Sequence, residues 1–192
     1  MLTRLRIKNF KAWKDSGDIR LAPITVLFGA NSAGKTSIPQ LLLVLKQTAE
    51  SSDRKRALQL GDSRTLTDVG TYDDTVHNHD VDQPLEFQLE WKLAQTLEIS
   101  DPLSKTKADG DSIGLAVSIR AGKRHEPLVS SFQYVLRRQA ERVLSVGMTR
   151  RPTGEKFDLT SQSYNFVRHT GRAWPLPEPF RFYGFPDETT AY

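Results

Sequence analysis

Ile24-Thr25-Val26-Leu27-Phe28 runs directly into Gly29-Ala30-Asn31-Ser32-Ala33-Gly34-Lys35-Thr36, and this junction decides the fold. The first five residues follow Pro23 and are mostly β-branched or apolar, which predicts a strand buried on both faces. The next eight fit G-x-x-x-x-G-K-[ST] at every position. Beyond them Ile38, Leu41, Leu42 and Leu45 recur at spacings of three and four, which predicts a helix from Thr36 to about Ala49. Pro39 is compatible with that helix because it falls in the first turn, where its missing N–H has no helical partner.

Strand, glycine loop and helix in that order make an anion site. Gly29 and Gly34 permit backbone angles that a side chain would forbid and let N–H groups come close to a phosphate. The amides running from Gly29 through Ala30, Asn31, Ser32 and Ala33 to Gly34, with the helix N-terminus behind them, form a concave donor surface. Lys35 sets a positive charge against β- and γ-phosphates and is the candidate catalytic residue. The Thr36 hydroxyl is the candidate magnesium ligand, and Ser37 is placed to donate to the α-phosphate. The ligand this chemistry fits is a nucleoside triphosphate, ATP with Mg2+.

Upstream, Leu2, Leu5, Ile7 and Phe10 interleave with Arg4, Arg6 and Lys8 near a period of two, which predicts a half-buried strand. A turn at Asp15 to Gly17 and a short strand at Ile19 to Leu21 follow. Downstream, residues 51–83 are polar and irregular, with one short helical turn expected between Thr71 and His77. After Pro84 alternation returns in Leu85, Phe87, Leu89, Trp91 and Leu93, then in Ile113 to Ile119, Phe132 to Leu136, Val143 to Met148, Phe157 to Leu159 and Tyr164 to Val167. That rhythm predicts an antiparallel meander, with a hairpin tip at Asp101 to Asp111. From Trp174 the prolines 175, 177, 179 and 186 predict an extended connector. The expected class is α/β (α+β), with the helix after the loop packed beside strands and an antiparallel β meander following. We divide the single domain 1–192 into a loop-and-helix core (1–50), an irregular region (51–83), the meander (84–170) and a Pro-rich connector (171–192).

The chain has 192 residues, 38% hydrophobic and 26% charged, with no cysteine, which excludes a disulfide framework and a thiolate metal site. The longest aliphatic run, Leu41 to Leu45, is far short of the roughly 20 residues that span a bilayer. No apolar signal-peptide core interrupts Arg4, Arg6 and Lys8, so we expect no membrane partner and a cytoplasmic location. A net charge of +4 is compatible with nucleic acid without establishing contact.

Ile7-Lys8-Asn9-Phe10-Lys11, followed by the run from Ile24 to Thr36 with Asn31 inside its loop, resembles the opening of the ABC-type ATPases of the SMC, RecF and OLD group. Leu43 to Thr48, Val69-Gly70-Thr71-Tyr72-Asp73-Asp74 and Phe182-Tyr183-Gly184-Phe185-Pro186 resemble a bacterial subfamily of OLD-like AAA ATPases, some of whose relatives occur in phage-defence systems. The resemblance implies the N-terminal lobe of an ATP-binding head, a mixed sheet around the helix after the glycine loop, flanked by the antiparallel β meander. It implies a homodimer in which two heads sandwich ATP, acting on DNA or gating a nuclease or effector partner. It also implies a place for Lys11 near the phosphates or the base, and a place for Asp68 to Asp74 where the group has its Q-loop, although no glutamine stands there.

Hydrolysis needs an acid for magnesium and a glutamate for water at the end of a buried strand. Asp187-Glu188 is the only adjacent Asp-Glu pair, and Pro186 before it argues against such a strand. Leu144-Ser145-Val146-Gly147 is a partial likeness of the group's signature motif but lies in a strand pattern. We therefore expect a lobe completed by a second one, and little hydrolysis by this chain alone. The alternative is a non-catalytic nucleotide-sensing module that docks on a partner protein through its proline-rich segment. His77-Asn78-His79 with Asp80 and Asp82 does not match the spacing of a nuclease or metallo-hydrolase motif and reads as a polar loop.

Overall fold

The computed structural model describes residues 1–100, 107–152, 154, 156–161 and 175–186. Its strands are β1 (Leu2–Phe10), β2 (Trp13–Asp15), β3 (Ile19–Arg20), β4 (Leu85–Ser100), β5 (Lys107–Ala121), β6 (Pro127–Arg138), β7 (Glu141–Arg150), β8 (Phe157–Thr160) and β9 (Pro175–Leu176). Helix α1 spans Ser37–Glu50, α2 spans Tyr72–Thr75, and a 3-10 turn covers His77–His79. The strands form one sheet in the order β2-β1-β4-β5-β6-β7-β8-β9, with β3 also pairing with β1.

Period-two alternation becomes ribs that cross the sheet. Ile7, Phe87, Val117, Phe132 and Met148 are successive cross-strand partners, and each is at most 4% exposed. One residue along, Lys8, Glu86, Ser118, Ser131, Thr149 and Asp158 make the next rib, and they point to the other face. The apolar ribs share one core with Ile38, Leu41, Val44 and Leu45 of α1. Burying a side chain of this size is worth about 1.5–3 kcal/mol, so the ribs fix the register of every long strand. Strands β6 and β7 join through Gln139 and Ala140, both with positive φ (50° and 71°), a two-residue turn whose twist matches the strands.

Buried polar groups tie the irregular region to this frame. Gln47 of α1 donates to the Gln59 and Thr67 carbonyls (2.7 and 3.1 Å) and accepts from the Thr67 amide (3.1 Å). Thr71 caps α2 in a reciprocal pair with Asp74, giving the helical turn expected between Thr71 and His77.

Two expectations are corrected. Every strand pairing among the described residues is antiparallel, so the sheet is not mixed. Ile24–Phe28 is not a buried strand: it is irregular, with Ile24 84%, Val26 62% and Phe28 89% exposed. Its composition suits a strand flanked on both sides, but the outer edge of β1 is taken by β2 and β3, and no described strand pairs with it. Within the proline-bearing segment Pro175–Leu176 pairs with β8, and Phe180 bridges to Gly184. Residues 107–111, expected in a hairpin tip, belong to β5. The expected strand at Tyr164 to Val167 and the pair Asp187-Glu188 lie outside the described residues.

Candidate phosphate-binding loop

The loop from Gly29 to Thr36 takes its shape from three left-handed residues. Gly29 (φ 152°), Ser32 (φ 66°) and Gly34 (φ 80°) turn the chain back on itself. At Gly34 a Cβ would stand 2.7 Å from the Ala12 Cβ, so only glycine lets the loop lie against the β1–β2 turn. The Trp13 indole N–H donates to the Gly34 carbonyl at 3.0 Å and holds the loop there. The Lys35 ammonium folds back and donates to the Gly29 and Ala30 carbonyls at 2.6 and 2.5 Å, closing the loop into a ring.

Helix α1 starts directly behind this ring. Thr36 is its N-cap residue, in the α-region and without a side-chain cap, and no acidic residue lies in the first turn. The helix N-terminus therefore has neither a capping oxygen nor a carboxylate from its own sequence. The Ser37 amide bonds the Gly34 carbonyl (3.1 Å), whereas the amides of Ser32, Gly34, Lys35 and Thr36 donate to nothing among the described residues. Residues 29–33 and Thr36 are exposed and Lys35 is partly so, while Gly34 and Ser37 are buried. A fork of free amides, an ammonium, an unused hydroxyl and a positive helix end are the donor set that a polyphosphate with a divalent cation requires.

Lys11 lies two residues before Trp13, in the left-handed region (φ 48°). Its ammonium donates to the Val69 carbonyl at 2.7 Å, and partial burial holds its pKa below the usual lysine range. Its own amide donates to Thr75 and its carbonyl lies 2.9 Å from His77 Nδ1. Lys11 thus ties the glycine loop's neighbour, the β1–β2 turn, to the Asp68–Asp74 loop. Within that loop Asp74 is held below the usual carboxylate range by hydrogen bonds from Thr71. His79 turns the other way from His77, to the Asp73 carbonyl.

Trp13 and Arg181 were not anticipated. A lone tryptophan in Lys11-Ala12-Trp13-Lys14 is a weak sign of an anchor. Nothing in sequence ties Arg181 to the end of α1, where its guanidinium donates to the Ala49 carbonyl at 2.6 Å.

No curated protein matches the chain. A family model described as an AAA ATPase domain matches residues 1–141, taking in β1, the glycine loop, α1 and the strands through the start of β7, and the chain belongs to that family.

Proposed function

We propose that residues 29–36 hold the phosphates of ATP, with Lys35 on the β- and γ-phosphates and the amides of Gly29 to Gly34 around them. Thr36 is the protein's ligand to Mg2+, and Ser37 and Lys11 supply further polar contacts. The observation that carries this reading is the ring closed by Lys35 at an uncapped helix N-terminus, where the amides of Ser32, Gly34, Lys35 and Thr36 have no partner among the described residues. Magnesium, when bound, supplies charge neutralisation on the phosphate oxygens. The residues of this chain bind and orient the phosphates, and Lys35 moves its ammonium from two loop carbonyls to them.

In this reading the chain is the ATP-binding lobe of an SMC- or OLD-like head. A second lobe, in the same polypeptide or another, brings the acid and glutamate for hydrolysis, and a second copy completes the ATP sandwich. Support comes from the resemblance at Asn9-Phe10-Lys11 and Asn31, and from Ile24–Phe28, an exposed apolar segment suited to pairing with a further strand. No described helix is long and apolar enough to cross a membrane. Work on DNA or in phage defence, in the cytoplasm, is part of the same proposal. A sensing module docked through Pro177-Glu178-Pro179 has less support, because Leu176 and Pro179 are buried and Glu178 pairs with Arg150 within the fold.

Lys35→Ala is the direct test. Among the described residues the Lys35 ammonium bonds only the Gly29 and Ala30 carbonyls, so the fold survives, and ATP affinity measured by calorimetry falls by at least about tenfold, the loss of roughly one charge-assisted contact. Undiminished affinity would sink the proposal. ATP-dependent dimerisation of the lobe with its completing partner, followed by light scattering, tests the sandwich.

A further inference from the structure

Helix α1 is held at both ends. At its N-terminus lies the glycine loop. At its C-terminus the last turn carries no basic residue of its own, so the helix sequence supplies no cation for the negative end of its dipole. That cation comes from far along the chain. Arg181 Nη1 donates to the Ala49 carbonyl (2.6 Å) and to the Tyr183 hydroxyl (2.8 Å), Nη2 donates to the Ser51 carbonyl, and the Arg181 amide donates to the Arg54 carbonyl (3.2 Å).

Two features make this contact costlier than a simple cap. Arg181 sits at φ 54°, a left-handed conformation that a non-glycine residue adopts only at a cost. Its Nε is buried with no hydrogen-bond partner among the described residues. The turn is kept in place by its neighbours. Phe182 meets Phe87 of β4 edge-on at 5.5 Å, Phe185 meets Phe132 of β6 at 4.9 Å, and the Tyr134 hydroxyl donates to the Tyr183 carbonyl at 2.9 Å. Phe180 and Gly184 close the turn with reciprocal backbone bonds of 2.8 Å.

We propose that Arg181 is a positioning residue, a latch that couples occupancy of the glycine loop to the seating of the 180–184 turn on the sheet. A helix of 14 residues is a rigid rod about 21 Å long, so a shift imposed at one end reaches the other. An anion at the N-terminus and a guanidinium at the C-terminus act on the same dipole with the same sign. When Lys35 leaves the Gly29 and Ala30 carbonyls for phosphate, the start of the helix loses a tie and gains a ligand. The far end answers at a joint that is strained and incompletely bonded. By reciprocity, loosening the latch weakens phosphate binding by the same factor. The inference rests on the loop being a phosphate site.

Hydrogen exchange of the 192-residue chain with and without Mg-ATP tests it. The amides of Arg181 and Gly184 are expected to exchange about fivefold or more slowly on nucleotide binding, the lower end of ordinary coupling. Arg181→Ala abolishes that response and raises the Kd for ATP by the same factor, and Arg181→Lys restores part of both. Tyr183→Phe, which removes one bond to Nη1 and keeps the ring packing, gives a reduced response even if Arg181→Ala does not fold. Nucleotide binding with unchanged or faster exchange at 180–184 overturns the latch and leaves the phosphate site standing. Failure of the wild-type chain to bind nucleotide overturns both.

Discussion

Asn9 shows what one buried amide can do. It is 8% exposed, sits at φ 52°, donates to the Asp80 and Gln83 carbonyls (3.0 and 2.7 Å) and accepts from the His77 amide (3.1 Å). Asparagine suits the left-handed region, and only an amide offers donors and an acceptor from one side chain. Asn9→Asp replaces the donating NH2 with an oxygen facing two carbonyls. Urea denaturation should show a loss of about 2–4 kcal/mol, the range for a buried polar group stripped of its partners. A loss below 0.5 kcal/mol, a small surface effect, would show that the network is not formed in solution. In sequence Asn9 carried weight as part of a family likeness, and its bonds here tie β1 to the 77–83 loop. That role was not legible, because its three partners lie 68 to 74 positions away. Gly29, Gly34 and Lys35 were legible, since their geometry is set within eight residues by their own backbone angles and by the helix that follows.

Elements defined by periodicity were read almost in full, because alternation is a local consequence of which face is buried. The bounds of β1, β7 and β8 and of α1 follow it closely. β4, β5 and β6 extend beyond it, because long hairpins continue to pair after the apolar signal fades. The turn after β2 is also local, and its electrostatics give a pH prediction. Asp15 accepts from Arg6 at 2.7 and 3.1 Å and from the Gly17 amide at 2.9 Å, and these bonds lower its pKa from 3.8 to about 2. Folding thus favours the carboxylate. Its contribution is fully present above pH 3.8 and is lost as pH falls through about 2. Thermal melts of wild type and Asp15→Asn should differ most above pH 4 or so and converge toward pH 2. A gap that stays constant across that window would mean that the pair with Arg6 is not formed.

At the scale of the whole molecule the exception is the segment that decided the reading. Ile24, Val26 and Phe28 have the composition of a central strand, yet they are 84%, 62% and 89% exposed, while Ile7, Phe87 and Phe132 are at most 1% exposed. Local pattern reports what a segment would bury and says nothing of where the partner strand comes from. Large apolar side chains in a row facing water mark an interaction surface. They also leave the chain prone to association through this exposed apolar segment. Replacing all three, as Ile24→Thr, Val26→Thr and Phe28→Ser, removes little that the described fold buries. Thermal stability should therefore change by less than about 1 kcal/mol, against the 3–5 kcal/mol expected for Phe87→Ala in the core. Self-association measured by sedimentation should fall, and pairing with any completing lobe should fail. If the triple variant is destabilised as much as Phe87→Ala, the segment is buried within the isolated chain, and the proposal that it waits for a strand from elsewhere is wrong.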